Sequence, residues 1–305
     1  MMNAIEVRHI SKSYGNVSAL DDVSFVVSPG ELFGLIGPDG AGKTTLFRIM
    51  TTLKDADKGS ATVAGYDVRR QYRDIRRIVG YMPGRFSLYG DLSVAENLEF
   101  FAALFGVSIQ SNYSLIAPVY DRIAPFAKRR ADKLSGGMKQ KLALCCALIH
   151  RPTVLFLDEP TTGVDAVSRE EFWEMLSHLK SRGITIFVST PYMDEVQKCD
   201  RVALIENGHI HAVDTPARLA TGVGDNLYEA AAREKWPLLQ HLRCLPNVEF
   251  CYTFGSVHHL VAGPGFDPKE ACQSLIAAGL HDVHIERTVG NIEDLFIKIM
   301  RNGQY

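Results

Sequence analysis

A chain of 305 residues is longer than one domain of common size and too short for three, so one large and one small domain are expected. Hydrophobic residues at 46% and charged residues at 22% are the usage of a globular protein and exclude disorder as the default. A formal net charge of −2 excludes a marked basic excess of the kind that grips nucleic acid, so any anionic ligand must be held locally.

The N-terminal residues Met1 to Arg8 contain no apolar run of signal-peptide length, and no apolar stretch in the chain is long enough to span a bilayer. A cytoplasmic protein is expected. The six cysteines include no Cys-x-x-Cys pair and are expected as reduced, mostly buried thiols.

In chain order, Ile5-Glu6-Val7-Arg8 and Val23-Ser24-Phe25-Val26-Val27 read as strands, the second closed by the turn signal Ser28-Pro29-Gly30. Residues 31–36 form a buried strand, and a helix follows from Lys43 to Met50. Between them Gly37-Pro38-Asp39-Gly40-Ala41-Gly42-Lys43-Thr44 fits the phosphate-binding loop, whose glycines let backbone N–H groups turn toward a triphosphate. Lys43 is expected at the β- and γ-phosphates of ATP, Thr44 on Mg²⁺, and Thr45 beside them. An isolated glycine turn could share this spelling; the strand before it and the helix after it are the context a phosphate site requires.

From about 85 to 150 the pattern changes to helical periodicity, strongest at 94–105 and 136–148, and reads as a helical subdomain inserted in an α/β core. Apolar strands at 154–157 and 184–189 then flank an amphipathic helix at 169–180, the βαβ rhythm of a largely parallel sheet. The first of these strands ends in Asp158 and Glu159. Such a pair suits metal binding by Asp158 and polarisation of an attacking water by Glu159.

A loop-like stretch, Thr221-Gly222-Val223-Gly224-Asp225, separates a domain at 1–220 from one at 221–305. Beyond it strands at 227–230, 248–252, 257–261 and 283–286, with helices at 236–242 and 268–278, spell a small α+β domain in the order βαββαβ. A last amphipathic helix at 291–300 carries Ile292, Leu295, Phe296 and Ile299 on one face. His258, His259, His281 and His284 lack an accompanying carboxylate or thiol cluster and are assigned no metal.

Leu134-Ser135-Gly136-Gly137-Met138-Lys139-Gln140 resembles the signature motif of ABC ATPases, and the resemblance extends over about residues 4–220. It implies a P-loop NTPase core in which Ser135, Gly136 and Gly137 contact ATP held by a second ATPase domain, so that two domains close on two nucleotides. It also implies that Tyr14 stacks on adenine and that Asp165 belongs to the D-loop. The C-terminal module is similar to that of bacterial exporter subunits, which work at the cytoplasmic face of the membrane with a separately encoded integral membrane permease. In the family, the region from Gly84 to Asn97 receives a short helix from that permease.

Two positions depart from the family pattern. Gly84 stands where a glutamine contacting Mg²⁺ or the attacking water is expected, and Pro191 where a histidine contacts the γ-phosphate. Loss of such a contact costs about 10²–10³ in rate. A degenerate ATP site, and with it a heterodimer in preference to a homodimer, is therefore expected. A non-hydrolysing regulatory half of a heterodimer, or a soluble ATPase acting on ribosomes or DNA, are the alternatives.

Overall fold

Alternation of buried and exposed residues shapes the first strands, β1 (Ile5–Tyr14) and β2 (Val17–Val27), into a hairpin. They form an antiparallel sheet with β4 (Lys58–Val63) and β5 (Tyr66–Asp67) in the order β2-β1-β4-β5. The computed structural model describes residues 3–222, 224 and 226–302, and two units are distinguished, Met1–Pro216 and Ala217–Tyr305.

The second sheet of the first unit contains the strands that are buried along their whole length. Its order is β10-β9-β3-β8-β7-β6, where β3 is Leu32–Ile36, β6 Val79–Met82, β7 Val154–Asp158, β8 Thr185–Thr190, β9 Arg201–Glu206 and β10 His209–Asp214. Five strands run parallel and β10 pairs antiparallel at one edge. Continuous apolar runs such as Leu32–Ile36 are what a strand covered on both faces requires. Near-parallel rings of Phe25, Phe33 and Phe187, with centroids 5.5–5.7 Å apart, fill the space between the two sheets.

The register aligns the strand ends that matter. Ile36 pairs with Thr190, Asp158 with Ser189, and Met82 with Leu157. The loops after β3, β6, β7 and β8 therefore emerge side by side at the carboxyl edge, where open parallel sheets bind ligands.

Helix α1 (Lys43–Met50) follows β3, and α2 (Tyr72–Ile78) precedes β6. Between β6 and β7 lie α3 (Val94–Leu104), α4 (Ile109–Tyr120) and α5 (Gly136–Leu148). A capping box sets the start of α3: Ser93 Oγ accepts from Glu96 N–H, and Glu96 accepts from Ser93 N–H. The sequence gives little sign of α4, whose polar first turns and internal Pro118 interrupt the periodicity. Pro118 has no N–H for the carbonyl of Ser114, and Arg182 donates to that oxygen instead. Helix α6 (Ala166–Ser181) joins β7 to β8 and buries Phe172, Trp173, Met175, Leu176 and Leu179. Cys145, Cys146, Cys199 and Cys251 are buried, whereas Cys244 is exposed.

The division between units falls ahead of the expected boundary at 220, within α7 (Pro216–Thr221). Val223 and Asp225 of the expected linker lie outside the described residues.

The second unit runs β11 (Leu227–Ala231), α8 (Lys235–Leu242), β12 (Val248–Phe254), β13 (Val257–Ala262), α9 (Pro268–Ala277), β14 (His284–Arg287) and α10 (Ile292–Asn302). All its strand pairs are antiparallel, in the order β12-β13-β11-β14, a split βαβ arrangement. His258 and His259 are buried; His258 Nε2 lies 2.8 Å from Lys235 O, and His259 Nδ1 lies 2.7 Å from Asp294 Oδ1. Tyr252 also donates to Asp294, so a buried carboxylate fastens α10 to two strands.

Candidate active site

The loop after β3 is shaped by its neighbours as much as by its own glycines. A β-carbon at Gly37 would stand 2.1 Å from Ile205 O, and one at Gly42 2.3 Å from Ala19 O, so no side chain fits at either place. Gly42 also has φ 103°, which favours glycine. The loop thus lies against β9 and β2 and presents Lys43, Thr44 and Thr45 at the start of α1, with the positive end of the helix behind them.

Lys43 is 3% exposed, and its ammonium group is fully engaged. Nζ donates to Gly37 O at 2.9 Å and Pro38 O at 3.0 Å, and it lies 3.0 Å from Glu159 Oε1. The cation that the sequence assigns to the phosphates is thus held by the loop itself and by the carboxylate assigned to water.

Asp158 ends β7 almost fully buried. Ser189 Oγ donates to its Oδ1 at 2.8 Å, and a hydrogen bond links it to the Thr44 side chain. Burial raises the Asp158 pKa above the ordinary carboxylate value, although the bonds from Ser189 and Thr44 oppose the rise. Thr44 and Asp158 together present hard oxygen donors, the set that Mg²⁺ prefers beside phosphate oxygens and water.

Glu159 is the next residue and has φ 51°, a left-handed conformation that costs a non-glycine residue about 1 kcal/mol. Its N–H is held by Ser189 O at 3.2 Å and Ser189 Oγ at 3.0 Å, and its carbonyl accepts from Thr162 N–H at 3.2 Å. These bonds turn the Glu159 carboxylate out of the β7 line toward the loop. Ser189 was missed in the sequence; its only signal there is a hydroxyl at the end of a buried strand.

Two adjoining cavities share Thr44 and Glu159. One, of about 290 Å³, is lined by Tyr14, Ala19, Asp39, Gly40, Gly42, Lys43 and Thr45 as well. The other, of about 470 Å³, adds Arg48, Tyr81, Pro83, Gly84, Arg85 and Asp158. Tyr14 ends β1 and lines the smaller cavity, 41% exposed. Ala41 is buried beneath the loop, its carbonyl bonded to Gly208 N–H.

Gly84 borders the larger cavity and sends no side chain into it, and a β-carbon there would lie 3.0 Å from Asp158 O. Tyr81 fills part of the wall. Burial, then the nearby Asp158 carboxylate, pushes its phenol up to about 12 despite Arg48, so its hydroxyl stays a donor at neutral pH. Pro191 lines neither cavity.

Ser135, Gly136 and Gly137 also lie away from both cavities. Ser135 caps α5, accepting from Met138 N–H at 3.4 Å. A β-carbon at Gly137 would come 2.9 Å from Ser168 Oγ, and one at Gly136 3.3 Å from Gly163 O, so the two glycines let α5 seat against the start of α6. Asp165 caps α6 through Ser168 N–H at 2.9 Å, a bond that lowers its pKa.

A third cavity, of about 590 Å³, shares Tyr81 and Pro83 with the Gly84 cavity. Its floor is apolar, with Ile75, Met82, Leu88, Phe101 and Phe105, and its rim includes Leu53 and Leu104, which are 54% and 64% exposed.

A parallel sheet with a lysine loop after β3, a buried aspartate ending β7 and a glutamate beside it defines a P-loop nucleoside triphosphatase. Residues 20–162 match the family described as ABC transporter. The chain is 34% identical over 307 residues to Nod factor export ATP-binding protein I of Burkholderia orbicola (strain AU 1054), covering 97% of this chain and 96% of that one. It is 39% identical over 235 residues to "Probable multidrug ABC transporter ATP-binding protein YbhF" of Escherichia coli (strain K12), covering 76% of this chain and only 39% of that longer one. Among solved structures, an ATP binding subunit of an ABC transporter superposes with a TM-score of 0.66 at 29% identity, over 72% of this chain and 92% of that one. The chain belongs to the ABC transporter family of ATP-binding proteins, whose shared activity is ATP hydrolysis.

Proposed function

We propose that this chain is the subunit that binds and hydrolyses ATP to drive export through a separately encoded membrane permease. The observation that carries the reading is the convergence of Lys43, Thr44, Asp158 and Glu159 on two joined cavities, with the apolar groove one residue wall away at Tyr81 and Pro83. The named relatives export a Nod factor or serve a multidrug transporter, which supports an export role.

In this reading Lys43 leaves its loop carbonyls for the β- and γ-phosphates, Tyr14 stacks on adenine, and Gly40 and its neighbours donate backbone N–H groups. Thr44 and Asp158 would hold Mg²⁺, which when bound would supply charge neutralisation at the phosphates. Glu159 accepts the proton of the attacking water. Ser135, Gly136 and Gly137 close the site of a second ATPase domain, with Asp165 at that interface. Among the described residues no helix is long and apolar enough to cross a membrane, so the permease fixes the chain to the cytoplasmic face.

Calorimetry of Mg²⁺-ATP binding tests this: Lys43→Ala is expected to weaken affinity at least tenfold. Unchanged affinity would remove the assignment.

The empty wall at Gly84 supports the finer proposal that this site is degenerate and that the chain pairs with a different ATPase subunit whose own site turns over. The intact Glu159 is the counterargument, since a homodimer could use it. Turnover of the mixed pair decides between them: asymmetry requires Ser135→Arg to reduce the rate far more than Glu159→Gln. Brisk turnover of the isolated chain, abolished by Glu159→Gln, refutes it.

A further inference from the structure

The larger of the two nucleotide cavities carries positive charge that none of the sequence motifs assigns. Arg48 and Arg85 both line it, together with Thr44, Tyr81, Asp158 and Glu159. Arg48 follows Thr44 by four residues on α1, so the two share a face of that helix. Arg85 follows Gly84 directly, where no side chain closes the wall. Both arginines are exposed, and neither has an ion pair or a side-chain hydrogen bond among the described residues.

The carboxylates of the same cavity are engaged elsewhere, Asp158 by Ser189 and Thr44 and Glu159 by Lys43. Tyr81 adds a phenol that stays protonated at neutral pH and can donate. Two unpaired guanidinium groups lining one cavity attract an anion, and phosphate oxygens suit their fork of N–H donors. The order of the two cavities says which anion. Tyr14 and most of the phosphate loop line the smaller one, whereas Thr44 and Glu159 line both. A nucleotide with its base at Tyr14 and its phosphates along the loop therefore reaches Thr44 with its far end, and that end meets the larger cavity.

We propose that Arg48 and Arg85 hold the terminal phosphate of a nucleoside triphosphate in this chain's own site, a contact that a diphosphate cannot make. The proposal rests on the reading of the two cavities as an ATP site and adds the residues that tell triphosphate from diphosphate there. It also separates binding from turnover. A guanidinium group has five donors and no acceptor, so it grips phosphate oxygens but can neither ligate Mg²⁺ nor orient a water by accepting its proton, as an amide oxygen does. With Gly84 and Arg85 side by side, the site retains a triphosphate while lacking a group that positions water.

Calorimetry of the full chain with Mg²⁺ and either ADP or the non-hydrolysable β,γ-imido analogue of ATP provides the test. Arg48→Ala and Arg85→Ala are each expected to weaken the analogue about tenfold while ADP affinity stays within about twofold, and the ADP titration shows that each variant is folded. Arg85→Lys keeps the charge and recovers part of the loss. Because the arginines are exposed, rising salt narrows the preference for the analogue more in the unaltered chain than in the double variant. A preference that either alanine substitution leaves unchanged overturns the proposal, and so does an equal loss of affinity for both nucleotides, which would make the arginines structural. In the first case normal binding of both nucleotides leaves the ATPase reading standing. Failure of the unaltered chain to bind either nucleotide would strike that reading itself.

Discussion

Lys43 Nζ and Glu159 Oε1 lie 3.0 Å apart, and the lysine is 3% exposed, so the phosphate-loop cation is paired with the proposed water-polarising carboxylate. On the proposed reading, a triphosphate competes for that ammonium group, and the carboxylate released in the exchange serves as the base.

Glu159→Gln should therefore have opposite effects on binding and on turnover. The competitor for Lys43 loses its charge, and ATP affinity rises by about fivefold, the equivalent of about 1 kcal/mol for one charge-assisted contact. In the isolated chain, whose slow turnover can come only from its own site, hydrolysis falls by at least about a hundredfold as the base is removed. Calorimetry and a phosphate-release assay on the same preparation check both, and an affinity that falls instead would show that the pair does not oppose binding.

Ser189 serves both carboxylate residues through Asp158 Oδ1 and Glu159 N–H. Ser189→Ala leaves a buried carboxylate short of a donor and frees a left-handed residue, a loss of about 1.5–3 kcal/mol. The expected result is a lower melting temperature together with a higher Mg²⁺ requirement for ATP turnover. A change in melting temperature alone would confine Ser189 to a structural part.

Gly84 can be tested by what a side chain adds there. A β-carbon would lie 3.0 Å from Asp158 O, so Gly84→Ala presses on the end of β7 without supplying a polar group and should lower turnover. Gly84→Gln carries the same pressure but fills the neighbouring cavity with an amide, and should raise turnover about tenfold over the unaltered chain. Equal rates in the two variants would show that an amide is not what the site lacks.

In the second unit, burial would raise the Asp294 carboxyl, but bonds from His259, Tyr252 and Asn291 N–H outweigh it and hold the pKa below the ordinary value. A depressed folded pKa contributes stability that is present above the unfolded value, about 3.9, and lost as pH falls through the folded value. Asp294→Asn should lower stability at neutral pH and flatten the acid limb of the unfolding curve below about pH 4. An acid limb unchanged by the substitution would exclude Asp294 as its source.

The motifs legible in the sequence were those written in consecutive residues. The phosphate loop from Gly37 to Thr44, the Ser135 cap with its two glycines, and the carboxylates after an apolar strand depend on local backbone geometry, which neighbouring residues dictate. The second unit followed from alternation and turn residues because its strands are short and amphipathic. Helix α4 stayed hidden, since Pro118 interrupts its pattern and the carbonyl it frees is taken by Arg182, distant in sequence.

The sequence alone determined the class of protein, an ABC-type ATPase, and the strand–loop–helix order that carries its phosphate loop. Tertiary structure alone decided that Lys43 rests on Glu159, that Ser189 clamps the residues beside it, and that a groove rimmed by Arg76 and Arg77 shares Tyr81 with the site. The first two join residues tens of positions or more apart, and the groove sets Arg76 and Arg77 beside residues of α3 and α5. Their meeting is set by the parallel register of β3, β6, β7 and β8, and that register comes from burial of whole strands rather than from any local spelling.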